Sequence, residues 1–266
     1  MSTLQDLIDV VARLRAPDGC PWDREQTPAT VRSYVLEEAH EVVQALDEGD
    51  DDALAEELGD LLFNVVLLAQ MAAERGAFTM DDVTASITSK MIRRHPHVFA
   101  GEDADRATIA ANWERIKATE KGSAEPRSAL DGVPAALPAL LRAQKIGKKA
   151  ARIGFDWPDA SGPRDKIDEE LAELDDALAR SDADAVEDEL GDVLFSVVNL
   201  ARHTVGPGGR PVVAEHALRR TTSKFEARFR RVEALAAQAG IDVHSADLQT
   251  LDALWDQAKR ALEEAP

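Results

Sequence analysis

Four acidic side chains, Glu170, Glu173, Glu189 and Asp192, fall in two pairs whose partners are three residues apart, and Glu38, Glu41, Glu57 and Asp60 repeat the arrangement. Residues three apart on a helix share a face. Each quartet therefore puts two carboxylates on each of two helices. If those helices pack antiparallel across a short turn, the four carboxylates converge. Uncompensated carboxylates in one place repel one another. A divalent cation resolves that repulsion, and an oxygen-only ligand set selects Mg²⁺ or Mn²⁺ over zinc. Glu37 and Glu169, each next to a first ligand, are candidates to orient a ligand or to accept a proton. For either motif alone, a solvated acidic helix face is the plain alternative. Recurrence of the whole constellation argues against it, and so does the apolar run LLFNVVLLA that follows the first ELGD.

That recurrence is in register. ELGDLLFNVVLLAQ (57–70) and ELGDVLFSVVNLAR (189–202) agree at ten of fourteen positions, and EEAHE (37–41) precedes EELAE (169–173) at the same offset of 132 residues. Lys90 and Arg94 return as Lys224 and Arg228, Trp113 and Lys117 as Trp255 and Lys259, and Trp22 of GCPWD more loosely as Trp157 of GFDWPD. The spacing drifts only where loops are expected. The chain reads as an internal duplication, with domains over 1–120 and 139–266 and a linker over 121–138. Helical periodicity over 28–47 and 165–180 places the EExxE motifs, and helices follow with ELGD, the second spanning 183–203. Gly49 with the acidic run after it makes the first turn. Helices over 212–239 and 247–263 carry the later cations and tryptophan, and GPGGRP (206–211) is a loop that the first repeat lacks. Gly59 and Gly191 lie inside helices, where glycine costs about 1 kcal/mol relative to alanine. Paying that twice implies a close approach of backbone or ligand.

Lys224 and Arg228 share a helical face, and both cations suit phosphate. Trp255 suits base stacking, with Lys259 one turn on. Taken alone, the Lys224/Arg228 pair reads better as ordinary surface charge and Trp255 better as core packing. No GxxxxGK[ST] loop is present, so phosphates would be held through metals and side chains. His40 gives a Glu37-x-x-His40 pattern of di-iron type; Ala172 replaces it in the second repeat and sets that reading aside. His95 and His97 flank a helix-ending proline and read as structural.

Composition limits the partners. The chain has 31 basic and 50 acidic residues, a net charge of −19, which argues against polymeric nucleic acid and anionic membranes. Ala, Leu, Val and charged residues favour an all-α fold over strands. Leu61–Met71 is too short to span a bilayer. The N-terminus lacks a signal-peptide pattern, and the single cysteine, Cys20, fits a cytoplasmic setting.

EExxE and ExxD, each present twice, with GCPWD, SKMIRRHPHVF and NWERIK, resemble the MazG family of nucleoside triphosphate pyrophosphohydrolases in its tandem two-domain form, over essentially the whole chain. The resemblance implies an all-α fold in which paired domains build four-helix cores, and a homodimer. It implies Mg²⁺-dependent hydrolysis of NTPs and dNTPs to monophosphate and pyrophosphate, in nucleotide-pool house-cleaning or alarmone-related regulation. By position, the metal ligands would be Glu170, Glu173, Glu189 and Asp192, with Glu38, Glu41, Glu57 and Asp60 as their first-repeat counterparts. The catalytic set adds Glu169, and the substrate-binding set would be Lys166, Lys224, Arg228, Trp255 and Lys259. A narrower dUTP or dCTP hydrolase and a non-enzymatic helical module are the alternatives. The second repeat is expected to carry most of the turnover. Arg230 and Arg231 enrich its basic helix, whereas Arg94 runs into His95-Pro96, which should end that helix.

Overall fold

The computed structural model describes residues 2–101, 105, 108, 109, 112, 113, 115, 116, 120 and 128–263. The chain divides into two compact units, Met1–Ala124 and Glu125–Pro266. Among the described residues every regular element is helical, and the extended pairing is an isolated bridge between Val205 and Pro211. Lys117 and residues 121–127 of the expected linker lie outside the described residues.

The first unit contains α1 (Leu4–Arg15), α2 (Pro21–Glu25), α3 (Pro28–Glu48), α4 (Asp51–Glu74), α5 (Met80–Arg94) and α6 (Pro96–Phe99). Start signals are local. Thr3, Thr27 and Thr79 form reciprocal capping boxes with Asp6, Thr30 and Asp82, each satisfying backbone donors that a helix start leaves unpaired. Proline at the first position of α3 fits because its missing N–H has no helical partner there. Gly49 ends α3 at φ 73°, and Asp50 caps α4 by accepting from the Asp52 and Ala53 amides, both at 3.0 Å. The resulting hairpin packs on α1 through buried Val11, Val31, Val66, Leu67 and Met71. Burying each such side chain contributes roughly 1.5–3 kcal/mol before entropy is counted.

The second unit contains α7 (Ala139–Ala151), α8 (Ser161–Arg180), α9 (Ala183–His203), a 3₁₀ turn at Pro207–Gly209, α10 (Ala214–Ala239) and α11 (Leu248–Glu263). α8 starts four residues earlier than periodicity placed it. Pro163 is tolerated in its first turn, where no backbone bond is lost, and Trp157 covers Gly162 so closely that a Cβ there would meet the ring at 2.0 Å. The α8–α9 turn keeps the register of the first, with Ser181 at φ 54° where the first unit has Gly49. A non-glycine residue in that conformation costs on the order of 1–2 kcal/mol. α7 crosses α9 at Gly147, where a Cβ would stand 2.8 Å from both Arg202 Nη1 and Asn199 Oδ1. Gln144 joins α7 to the start of α10, donating to the Val212 carbonyl at 2.7 Å and accepting from the Ala214 amide at 3.0 Å. α10 and α11 pack through Val232, Ala236, Leu254 and Ala258.

In each unit a guanidinium ties the acid-bearing hairpin to the segment that follows the first helix. In the first unit Arg15 grips Glu74 of α4 through two bonds of 2.7 Å, and its third nitrogen serves the Asp23 and Gln26 carbonyls. In the second the polarity is reversed. Arg202 of α9 reaches out to Asp156 at 2.6 Å, and His203 joins the same carboxylate at 3.1 Å.

Candidate active site

The i,i+3 spacing and the short turns bring the acids together as three plus one. Glu38, Glu41 and Glu57 each offer an oxygen within 4.8 Å of the others, and so do Glu170, Glu173 and Glu189. Asp60 and Asp192, one turn after Glu57 and Glu189, are not members of these groups. Both still act on their clusters electrostatically. Burial first, then Asp60 and Glu41, raise the Glu38 pKa above its ordinary 4.5. Burial first, then Glu173, Glu170 and Asp192, raise that of Glu189.

Glu170 is the buried member, with a side chain 6% exposed. Lys166, one turn earlier on α8, pairs with it at 2.7 Å and with the exposed Glu169 at 2.8 Å. Lys166 thus stands at the acids, paired with two of them. In the first unit the position 132 residues earlier is Tyr34, and among the described residues no Lys or Arg pairs with Glu38, Glu41, Glu57 or Asp60. Tyr34 instead lines a cavity of about 330 Å³ with Trp22, Phe63, Asn64, Glu38 and Asp60.

The other expected substrate contacts assemble on the α10–α11 pair. Arg228 stands over the Trp255 ring, 6.0 Å from its centroid, and Phe225 tilts against the same ring at 5.1 Å. Trp255 is half-buried and packs on the α10–α11 core, so part of its surface is structural. Lys259 lies 4.0 Å from Asp256, and Lys224 is exposed. In the first unit Arg94 ends α5 as its His95-Pro96 boundary implies, but its guanidinium is engaged. It bonds Glu120 and stacks 5.0 Å from the Trp113 centroid, with Arg93 bonding the same carboxylate at 3.0 Å. His95 holds the Met91 carbonyl at 2.7 Å and packs edge-on to Trp113, a structural role. His40 is exposed and belongs to no candidate metal group among the described residues.

The close approach expected at Gly59 and Gly191 finds no partner among the described residues: beyond the helix's own nearby backbone, a Cβ at either would meet no atom within 4 Å. A second feature escaped the sequence. A largely apolar cavity of about 770 Å³ lies one turn beyond Asp192, lined by Ile146, Phe155, Trp157, Phe195 and Asn199. Its signal was the aromatic in each GCPWD-like segment together with the phenylalanine three residues after each ELGD aspartate.

The donor set fits a hard divalent cation. It is all oxygen, it includes a buried carboxylate, and burial first, then repulsion between the carboxylates, raises Glu38, Glu57 and Glu189. A carboxylate raised in the folded state stabilises that state below its ordinary pKa and loses the contribution as pH rises through the raised value. At neutral pH the cation-depleted clusters therefore destabilise the fold. Added Mn²⁺ or Mg²⁺ should raise the melting temperature at pH 7.5 by several degrees, as expected for about 3 kcal/mol of linkage at 100 times Kd. The rise should shrink toward pH 5, where protons compete. Thermal melts at both pH values, repeated on Glu170→Gln plus Asp192→Asn, check this; an undiminished rise in the double variant would place the cation elsewhere.

Comparison with known proteins locates these features. Residues 26–99 and 164–232 match the MazG nucleotide pyrophosphohydrolase domain, so both acidic quartets and both Lys/Arg pairs lie inside matched segments. The chain is 46% identical over 264 residues to a nucleoside triphosphate pyrophosphohydrolase of Escherichia coli (strain K12), covering 98% of each chain. It is 42% identical over 256 residues to the Thermotoga maritima nucleoside triphosphate pyrophosphohydrolase/pyrophosphatase MazG, covering 96% of this chain and 95% of the relative. A crystal structure of a MazG-related protein from Thermotoga maritima aligns with 43% of this chain at TM-score 0.39 and 23% identity.

Proposed function

The chain belongs to the MazG nucleotide pyrophosphohydrolase family, and on that premise we propose that it hydrolyses NTPs and dNTPs to the monophosphate and pyrophosphate with Mg²⁺, or Mn²⁺ in its place. The observation that carries the reading is the carboxylate cluster built twice on matching hairpins, each within a matched segment. Glu170, Glu173 and Glu189 would hold the cation, with Asp192 alongside. The cation supplies charge neutralisation for phosphate oxygens and acidity to the attacking water. Lys166, Lys224 and Arg228 would bind the polyphosphate, and the exposed face of Trp255 would stack on any base, with Lys259 beside it. Glu169, an exposed carboxylate bonded to Lys166, would accept the water proton. Attack at the α-phosphorus forms its new P–O bond, the bond to the bridging oxygen breaks, and pyrophosphate leaves with that oxygen. The proposal places this work mainly in residues 139–266, in a cytoplasmic protein. The cytoplasmic assignment rests on the lone, unbridged Cys20; no helix among the described residues is long and apolar enough to cross a membrane.

A panel of NTPs and dNTPs with Mg²⁺, assayed for both phosphate and pyrophosphate, tests the chemistry. Pyrophosphate from several bases, abolished by EDTA and restored by excess Mg²⁺, is the expected result. Release of phosphate, or activity that survives full chelation, defeats it.

The proposed assembly is a homodimer. Leu58, Leu62 and Val65 on α4, and Leu190, Leu194 and Val197 on α9, are left 37% to 54% exposed. Covering such stripes with the same hairpins of a second copy builds four-helix cores from apolar surface that a lone chain leaves in water. Sedimentation should give about twice the 28.9 kDa chain mass, and Leu194→Glu should shift it toward the monomer. A monomeric parent protein rules the assembly out.

A further inference from the structure

Resting on the metal reading above, we propose that Lys166 is a built-in counterion of the second carboxylate cluster, displaced by the incoming divalent cation and handed on to the triphosphate. Its ammonium lies 2.7 Å from the Glu170 carboxylate, the buried member of the cluster, and 2.8 Å from Glu169. A carboxylate as buried as Glu170 needs a cationic or hydrogen-bonding partner. Lys166 meets that need before metal arrives, from one helical turn away. A divalent cation held by Glu170, Glu173 and Glu189 would compete for the carboxylate that the ammonium occupies, and like charges a few ångströms apart repel. The lysine side chain is 35% exposed, and its four-carbon stem lets the charge swing outward without moving α8. Outward from the cluster is where the phosphates must lie if the cluster's cation is to reach them. Displacement therefore delivers a cation to the substrate at the moment the metal takes its place.

The first repeat lacks the device. Tyr34 stands at the equivalent position and faces the cavity that contains Glu38 and Asp60. Among the described residues no basic side chain pairs with that quartet. The two clusters should consequently differ. The first binds a cation without an internal competitor among the described residues. The second binds it more weakly alone and more tightly once a triphosphate accepts the displaced ammonium, and by linkage the metal strengthens nucleotide binding by the same factor.

The test reads metal affinity, not turnover. Mn²⁺ is titrated into the nucleotide-free full chain and unbound Mn²⁺ is counted by electron paramagnetic resonance. Glu38→Gln plus Glu41→Gln leaves only the second cluster in play. In that background Lys166→Met should tighten Mn²⁺ binding about tenfold, the scale of removing a competing charge at a partly exposed site. An α,β-methylene nucleoside triphosphate should improve Mn²⁺ affinity less in the variant than in its parent. Unchanged or weaker Mn²⁺ binding in Lys166→Met overturns the proposal, as does an equal nucleotide effect in both. Should that variant fail to fold, Tyr34→Lys in a Glu170→Gln plus Glu173→Gln background gives the reciprocal: Mn²⁺ binding at the first cluster should weaken about tenfold, and no weakening is equally fatal. Failure of the parent protein to bind Mn²⁺ at either cluster removes the metal reading itself, an outcome distinct from tight binding that ignores Lys166.

Discussion

Glu173→Ala should abolish pyrophosphate release, with a loss of about a thousandfold or more, while Glu41→Ala should leave a substantial fraction. Both residues are exposed members of equivalent carboxylate groups, so the chemistry of the ligand alone does not separate them. Their surroundings do. In the second repeat a buried glutamate anchors the group, and a lysine on the same helix is positioned to follow the phosphates. In the first repeat Arg94, the counterpart of Arg228, is already engaged: Glu120 takes one edge of its guanidinium and Trp113 its face. Glu120 thus occupies Arg94 much as a phosphate would. Weakening a metal that supplies several kcal/mol of transition-state stabilisation gives the thousandfold scale, since each 1.36 kcal/mol is a factor of ten. The comparison uses single substitutions, folding checked by circular dichroism, and pyrophosphate assayed at saturating Mg²⁺. Equal losses would show both repeats working or coupled, and the reverse order would sink the assignment.

The largest expected effect on stability lies far from the acids. Arg15→Met should cost roughly 3 kcal/mol of unfolding free energy. The Arg15 side chain is 9% exposed and serves Glu74 and two backbone carbonyls at once. Breaking a buried pair by removing one partner typically costs about 3–5 kcal/mol. The low end applies because Glu74, 35% exposed, regains some water. Arg24→Met, at an exposed position, is the control and should stay within about 0.5 kcal/mol. Acid gives a second check. The Arg15 hydrogen bond holds Glu74 below its ordinary 4.5. A depressed carboxylate stabilises the fold above its ordinary pKa and loses the contribution as pH falls through the lowered value. The gap between Arg15→Met and the parent, measured by urea denaturation, should therefore narrow in acid. A loss no larger than that of Arg24→Met would mean the clasp is ornamental.

Local signals carried most of the fold. The hairpins were legible because periodicity, the turn signal and the repeat offset agree on where each turn falls, although the start of α8 lies four residues before the periodicity begins. The Lys166–Glu170 contact is an i,i+4 pair and follows from helical geometry once the helix is known. The Arg15–Glu74 clasp was not legible. Its partners are separated by 59 residues, each reads as ordinary surface charge, and the second repeat does the same task with Arg202 and Asp156 in reversed polarity, so comparing the repeats hid it. The place of Asp60 and Asp192 was only half legible. Sharing a helical face fixed their direction, but which i,i+3 partner closes into the tight group of three depends on how the two helices meet across the hairpin. Trp255 reads from sequence as plate or as core, and the structure makes one face serve the core while the ring also meets Arg228.

Gly59 and Gly191 behave like the imprint of an absent neighbour. Each weakens its helix, yet among the described residues each looks out on open space, so the packing of those residues offers no reason to keep them. Alanine at either position should make the isolated helix sturdier. If a second copy seats its backbone there, the same methyl group becomes a wedge. Gly191→Ala therefore sets two observables against each other, a stronger chain and a looser assembly: a melting temperature above the parent's in dilute solution and below it in concentrated solution would show that those glycines were kept for the surface between copies.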